Sequence, residues 1–174
     1  QEIDVIGILG NGYAEAVKED LTGKKVILMG GGIGIPPMVE LAGQIKAAAA
    51  EAGKADSTEV YAVVGYRDSK LFLKEDLEKN AKVVIATEDG SVGTKGNVLT
   101  AVSENNISAD VIMACGPMPM LRAIKKYAEE NSIKAYISLE ERMACGVGAC
   151  LGCVCKTKDV DSHSKVHNAR ICTD

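Results

Sequence analysis

The chain has 174 residues, 47% of them hydrophobic and 25% charged, which is typical of one globular domain with at most a small appendage. Its net charge of −4 and the lack of a basic stripe argue against a nucleic-acid-binding surface. The apolar runs are strand-sized, too short for a membrane-spanning helix, and no secretory signal is visible at the N-terminus.

Strand and helix patterns alternate from residue 24 onward. Continuous apolar runs predict strands at 24–30, 57–67, 81–90, 109–117 and 134–140. Helical spacing predicts helices at 38–53, 70–80, 96–106 and 118–131. In the first of them, Gly53 is the expected end, and the apolar stripe consists of Met38, Leu41, Ala42 and Ile45. Five strands alternating with helices predict an α/β fold with a doubly wound, five-stranded parallel sheet.

A glycine-rich turn, "GGGIGIPP", follows the first predicted strand. A doubly wound fold binds a pyrophosphate at this point, where glycines allow close backbone approach and the next helix offers its N-terminal N–H groups. The match to G-x-G-x-x-G is imperfect, because position 35 is Ile. A tight strand-to-helix connection without a ligand is the alternative. The cofactor-binding candidates in this turn are Gly30, Gly31, Gly32, Ile33, Gly34, Ile35 and Pro36.

Further cofactor candidates follow the other strands, since open α/β sheets bind ligands at the carboxyl ends of their strands. After the fourth strand, Cys115, Gly116 and Pro117 could line a flat ring such as nicotinamide, although Cys115 could equally be a buried small hydrophobe. Arg67 and Asp89 could contact the ribose or adenine, or could be solvated charges in turns.

The choice between NAD and NADP stays open at this point. Arg67 could serve a 2′-phosphate, while Asp68 and Asp89 would oppose one.

Four of the six cysteines lie within residues 145–155. Six cysteines are too few for a disulfide scaffold, and in a reducing cytoplasm, which we expect here, clustered thiols indicate metal or redox chemistry. Cys145, Cys150 and Cys153 have the C-x4-C-x2-C spacing of plant-type [2Fe–2S] ligands, and Cys172 supplies a distant fourth. Cys155 is then surplus.

A zinc site is the alternative for these thiols. Cys150 and Cys153 with His163 and His167 resemble a Cys2His2 pattern. The nine-residue spacer is shorter than usual, and no amphipathic helix carries the histidines, which we instead expect in a polar hairpin.

With these motifs assembled, the chain resembles the electron transfer subunits of dihydroorotate dehydrogenase B, iron–sulfur flavoproteins of the ferredoxin–NADP reductase superfamily. The resemblance spans nearly all of the chain. It rests on "DVIGILGNGY", "GGGIGIPPM", "TEDGSVGTKG", "CGPMPML", "LEERMACGVGACLGC" and "RIC".

The resemblance implies an oxidoreductase subunit in pyrimidine biosynthesis. A catalytic FMN-containing partner, in a heterotetramer, would oxidise dihydroorotate, and electrons would pass through [2Fe–2S] and FAD to NAD+. Cys145, Cys150, Cys153 and Cys172 would hold the cluster. The glycine turn and the stretch from Cys115 to Met118 would frame the NAD.

The chain departs from this family at its ends. It has no room for the N-terminal FAD-binding barrel and no R-x-Y-[ST] flavin signature, so we expect a fragment. We predict a remnant linker at 1–22, an NAD-binding domain at 23–140 and a cluster-binding segment at 141–174, truncated after Cys172. Two other readings stay open: a related NAD(P)H-linked ferredoxin, sulfide or sulfite reductase subunit, and a non-enzymatic zinc-binding module.

Overall fold

The computed structural model describes residues 7, 10, 12, 13, 21–161 and 164–174. The chain divides into two compact units. The larger unit spans residues 16–138, and the smaller one combines residues 1–15 with 139–174.

The larger unit is built on a six-stranded parallel sheet with the order β4-β3-β2-β1-β5-β6. Its strands are β1 (Lys25–Gly31), β2 (Glu59–Tyr66), β3 (Lys82–Thr87), β4 (Thr94–Lys95), β5 (Val111–Cys115) and β6 (Lys134–Ser138). The predicted fold class is confirmed, but the predicted strand count was one short. The missed strand has only two residues, within a glycine-rich loop that carries no apolar run.

β1 lies at the centre of the sheet and is buried on both faces. Val26, Ile27, Leu28 and Met29 are at most 1% exposed, as their continuous apolar run predicted. β1 pairs in parallel with β2 on one side and with β5 on the other. The chain therefore reverses its strand order beside β1, and a crevice is expected at the carboxyl ends of β1 and β5.

Within the described residues 25–138, the helices that connect the strands are α1 (Ile35–Glu51), α2 (Lys74–Glu78), α3 (Val98–Glu104) and α4 (Met118–Glu130). Two short 3-10 helices, Gly32–Gly34 and Ala55–Ser57, lie at either end of α1. The predicted apolar stripe of α1 is buried. Gly53 directly follows Ala52, the C-cap of α1, and has a φ of +65°, the left-handed conformation that favours glycine just beyond a helix end.

Asn97 caps the short helix α3, and its loss has a measurable expected cost. Its Oδ1 accepts hydrogen bonds from the N–H groups of Leu99 (2.9 Å) and Thr100 (3.0 Å). We expect Asn97→Ala to lower the free energy of unfolding by about 1 kcal/mol, because two N–H groups lose their acceptor. Urea denaturation measures this. Asn97→Asp retains the acceptor and should stay near the unchanged protein, and equal stability of all three chains would contradict the assignment.

The smaller unit contains an antiparallel pair of strands, β7 (Val154–Lys156) and β8 (Asn168–Arg170). The loop between them includes exposed His167, whose Nδ1 lies 2.9 Å from the carbonyl oxygen of Lys158. This agrees with the predicted polar hairpin, while His163 lies outside the described residues. Across the part of the chain described, no helix is both long and apolar enough to cross a membrane.

Candidate functional site

A cavity of about 760 Å³ opens in the larger unit, at the carboxyl ends of β1, β2 and β3 and beside the start of α4. Ligands of open α/β sheets occupy this edge. The lining comprises Gly31, Gly32, Gly65, Tyr66, Arg67, Asp68, Lys70, Phe72, Glu88, Gly96, Asn97, Val98, Leu99, Pro117, Pro119, Met120 and Ala123. The volume is that of a small-molecule or cofactor site.

The end of β1 and the start of α4 approach each other closely at two glycines. A Cβ on Gly31 would lie 2.9 Å from Met120 Sδ and 3.1 Å from Pro117 Cδ. Gly116 has a φ of +156°, and a Cβ there would lie 3.1 Å from the carbonyl oxygen of Gly31 and 3.2 Å from its N. These glycines let the end of β1 and the start of α4 approach each other beside the cavity.

The turn after β1 uses its glycines in two different ways. Gly32 has a φ of +57°, and a Cβ there would meet no atom within 4 Å, so its backbone is open to a ligand. A Cβ on buried Gly34 would overlap the carbonyl group of Cys115. Gly32 thus suits approach by a ligand, whereas Gly34 is needed for close packing of the turn against β5.

The first residues of α1 offer few N–H donors. Pro36 and Pro37 have no N–H, and the N–H of Ile35 donates to the carbonyl of Gly32. The amide donors expected for a pyrophosphate therefore cannot come from these three residues. They would have to come from the Gly32–Gly34 turn, while α1 adds the positive end of its dipole.

Four of the predicted cofactor residues line the cavity: Gly31, Gly32, Arg67 and Pro117. Nine others do not: Gly30, Ile33, Gly34, Ile35, Pro36, Asp89, Cys115, Gly116 and Met118. Cys115 is 2% exposed and lies in the sheet between Gly30 and Ser138. The individual residue assignments therefore remain predictions.

Asp89 serves its own turn. Its Oδ1 accepts a hydrogen bond from the N–H of Ser91 at 2.9 Å. The pKa of Asp89 is lowered, first by its hydrogen bond with the Ser91 side chain and then by that with the Ser91 backbone. Its neighbour Glu88 lines the cavity instead, and the sequence had not singled it out.

Other lining residues were also missed, among them Tyr66, Phe72 and Asn97. Asn97 carried a usable signal, because Asn directly before an apolar stretch is a common helix N-cap. Tyr66 belongs to a strand pattern, and Phe72 falls within the range predicted as a helix. Periodicity therefore assigned both of them to packing.

In the smaller unit, the cysteine loop directs backbone N–H groups at sulfur atoms. Cys145 Sγ accepts from the N–H groups of Ala149 and Cys150, both at 3.3 Å, and Cys150 Sγ accepts from the N–H of Gly152 at 3.4 Å. Gly146 and Gly148 have φ values of +68° and +78°, so the loop folds back sharply between its cysteines. Such N–H···S contacts tune thiolate-bound iron–sulfur centres.

The four predicted ligands form two hydrogen-bonded thiol pairs, Cys145 with Cys150 and Cys153 with Cys172. Hydrogen bonds from the backbone N–H groups of Cys150 and Val147, and then from the Cys150 side chain, lower the pKa of Cys145 to about 6. A hydrogen bond with Cys153, followed by burial, raises the pKa of Cys172. Nowhere in the described ranges do three or more His, Cys, Asp or Glu side chains gather as a metal site. The ligand set therefore remains a prediction.

Cys172 is fixed by its neighbours although it lies near the end of the chain. Its carbonyl accepts from the N–H of Gly10 at 3.2 Å, and the preceding N–H, of Ile171, donates to the carbonyl of Cys153 at 3.2 Å. On its other side, Arg170 Nε and Nη2 donate to the Asp174 carboxylate at 2.9 and 2.7 Å. The fork-shaped ion pair closes one turn around Cys172.

The donor set fits a [2Fe–2S] cluster chemically. Four thiols, with glycines between three of them and N–H groups aimed at two sulfurs, provide the ligands and hydrogen bonds that such a cluster uses. Cys155 is half-buried and lies opposite Ala169 within the β7–β8 ladder. That Cys155 is surplus to the ligand set stays a prediction.

Two family models match the chain. The oxidoreductase NAD-binding domain matches residues 28–126, more than half of the chain. The iron-sulfur cluster binding domain of dihydroorotate dehydrogenase B matches residues 140–174.

Curated relatives match along the whole chain. The electron transfer subunit of dihydroorotate dehydrogenase B (NAD(+)) from Bacillus pumilus is 40% identical over 175 aligned positions, which cover 100% of this chain and 62% of the relative. The same subunit from Caldanaerobacter subterraneus is 38% identical, covering 99% of this chain and 62% of the relative. The chain thus spans about three fifths of the length of the curated relatives it matches.

Among solved structures, an NADH-dependent reduced ferredoxin-NADP oxidoreductase, described in work on flavin-based electron bifurcation, matches with a TM-score of 0.75. It is 24% identical, and the match covers 98% of this chain and 55% of that one. At this identity the likeness establishes the fold.

Proposed function

Because the chain belongs to the family of oxidoreductase NAD-binding domains, we propose that it is the NAD- and iron–sulfur-binding part of an electron transfer subunit of the dihydroorotate dehydrogenase B type. One combination carries this proposal. A cofactor-sized cavity at the carboxyl edge of a parallel sheet and a C-x4-C-x2-C segment with a distant fourth cysteine occur in a single chain. That chain also aligns from end to end with relatives of this name.

We propose NAD-binding at 23–140 and cluster-binding at 141–174, with 1–22 as a linker. Gly31, Gly32, Arg67 and Pro117 are the cofactor candidates with direct access to the cavity. The remaining candidates, Gly30, Ile33, Gly34, Ile35, Pro36, Asp89, Cys115, Gly116 and Met118, would act by shaping its walls. Cys145, Cys150, Cys153 and Cys172 would hold the cluster through their thiolates.

The residues of the larger unit would bind and orient NAD. Those of the smaller unit would hold the four thiolates in place, and the glycines of the cysteine loop would leave space around them. When bound, a [2Fe–2S] cluster supplies one-electron transfer, whereas NAD takes up or gives hydride. Converting between the two requires a flavin, which the whole subunit would contribute as FAD. Electrons would come from a catalytic FMN-containing partner, and we infer a reducing, cytoplasmic setting in which ligand thiols persist.

This proposal predicts a specific combination of properties for the purified chain. We expect about two iron atoms per chain with visible absorption after anaerobic reconstitution. We also expect NADH to bind without reducing the cluster when no flavin is added. A flavin is needed to convert the two-electron hydride into the single electrons that the cluster accepts. Absorption, iron analysis and electron paramagnetic resonance before and after NADH measure this, with dithionite as the positive control. Rapid NADH-dependent dye reduction without any flavin would contradict the proposed division of labour.

A further inference from the structure

The loop between β2 and α2, residues 67–73, presents an exposed aromatic ring at the cavity. Phe72 is 47% exposed and lines the cavity together with Arg67 and Lys70. It is the only phenylalanine of a chain that contains no tryptophan. About half of this ring is left uncovered by the protein, and that part is available to a ligand in the cavity.

The backbone around Phe72 is fixed from both sides. Tyr66 donates its hydroxyl hydrogen to the carbonyl oxygen of Phe72 at 2.8 Å. Burial raises the pKa of Tyr66, so this hydroxyl remains a donor near neutral pH. Leu73, the next residue, has a φ of +59°, a left-handed conformation that a branched side chain rarely adopts.

The ring itself is also oriented. Tyr66 and Phe72 pack edge to face, with ring centroids 5.4 Å apart and planes at 90°. Tyr66 is 6% exposed, so the buried ring serves as a support for the exposed one. On the approach to Phe72, the N–H of Lys70 donates to Asp68 Oδ1 at 2.8 Å, which shapes the preceding turn. The loop therefore holds one aromatic face ready at the cavity.

The fold indicates which end of a dinucleotide would meet this face. In doubly wound sheets, the pyrophosphate lies at the turn after the first strand, and residues at the end of the second strand face the adenosine ribose. Phe72 belongs to the loop that leaves β2, whereas Gly116 and Pro117 lie across β1 at the end of β5. The base attached to the adenosine ribose is therefore the group that reaches Phe72.

We propose that Phe72 is a stacking platform for the adenine ring of the bound dinucleotide, and that Tyr66 is the positioning residue that holds this platform in place. The inference rests on the proposed function, because it assumes that the cavity takes NAD. Stacking would cover the exposed part of this ring, which its fixed backbone and Tyr66 hold at the cavity. Base–aromatic stacking also tolerates either an NAD or an NADP adenosine, so it supplies affinity without choosing between them.

The test compares Phe72→Leu, which removes the ring but stays apolar, with Phe72→Tyr, which retains it. Calorimetry on the whole chain would use three probes: NADH, ADP and nicotinamide mononucleotide. We expect Phe72→Leu to weaken NADH and ADP binding about tenfold while the mononucleotide changes less than about twofold, and Phe72→Tyr to bind like the unchanged chain. Tyr66→Phe, which removes only the hydroxyl, should weaken NADH and ADP binding by a smaller factor, about threefold.

Ring-current shifts provide a readout that a structural defect would not imitate. The adenine H2 and H8 resonances of ADP should move upfield with the unchanged chain and with Phe72→Tyr, but not with Phe72→Leu. Unchanged ADP affinity in Phe72→Leu, or an equal loss for the mononucleotide, would overturn the platform and leave the proposed function intact. Failure of the unchanged chain to bind NADH would instead overturn the proposed function and the platform with it.

Discussion

Replacing Cys153 by serine is expected to leave less than about one tenth of the iron that the unchanged chain binds. Loss of a hydrogen-bond partner outside the ligand set already costs metal sites about 10–100-fold, and loss of a thiolate ligand costs more. Cys153 is 3% exposed and hydrogen-bonded with Cys172, so the serine would also break one of the two thiol pairs. Iron analysis and the visible spectrum after reconstitution measure the effect.

Cys155 provides the matched control for this experiment. It lies two residues after Cys153, within β7, and is half-buried opposite Ala169. Cys155→Ser should therefore retain the iron and the spectrum of the unchanged chain. If Cys155→Ser lost as much iron as Cys153→Ser, the four-cysteine ligand set would be incorrect.

A His167 variant distinguishes the iron–sulfur cluster from a zinc site. A Cys2His2 zinc site would use His167 with Cys150 and Cys153, so His167→Ala would then release the metal. The cluster proposal expects His167→Ala to keep its iron, because this imidazole lies by the carbonyl of Lys158 within the hairpin loop. A colourless reconstituted chain that binds one zinc ion, lost on His167→Ala, would favour the zinc alternative.

Local pattern was sufficient for much of the larger unit. The run from Val26 to Met29 predicted a strand buried on both faces, and the spacing of Met38, Leu41 and Ile45 predicted the buried face of α1. These signals depend only on whether a side chain faces the core, and each element carries its own copy of the signal. Because each strand or helix carries its own pattern, the predicted strands and helices of the larger unit agree well with those of the structure.

The loop that carries Phe72 shows where such reasoning stops. The predicted helix at 70–80 in fact begins at Lys74, because Leu73 takes a left-handed conformation and the Tyr66 hydroxyl holds the carbonyl of Phe72. Both constraints arise from the tertiary structure, and neither produces a hydrophobic periodicity in the sequence. The pairing of Cys153 with Cys172 is similar, since 18 residues lie between two thiols that the hairpin brings together.

Gly34 illustrates a residue whose type was noticed for one reason and is needed for another. The sequence grouped it with the cofactor-binding turn, but it does not line the cavity. Its φ of −77° and ψ of −6° suit any residue, so its backbone conformation does not require glycine. The requirement is one of space, because the turn packs directly on the backbone of Cys115 and Gly116.

Gly34→Ala is accordingly expected to lower the free energy of unfolding by about 3 kcal/mol, at the upper end of the usual cost of overpacking. The added methyl group would overlap the carbonyl of Cys115 and lie 2.8 Å from the N of Gly116. Both neighbours are backbone atoms at the carboxyl end of β5, so no side-chain rotation can relieve the overlap. Urea denaturation followed by circular dichroism measures the loss.

Gly43→Ala, nine residues later in α1, is the matched control. A Cβ on Gly43 would lie 3.6 Å from Asn80 Nδ2, an ordinary van der Waals contact. Since alanine also favours the helix, this variant should be more stable than the unchanged chain by about 0.5–1 kcal/mol. The same methyl group therefore has opposite expected effects at two positions of one turn–helix segment. If both variants shifted stability in the same direction, close backbone packing at Gly34 would not be the reason for its glycine.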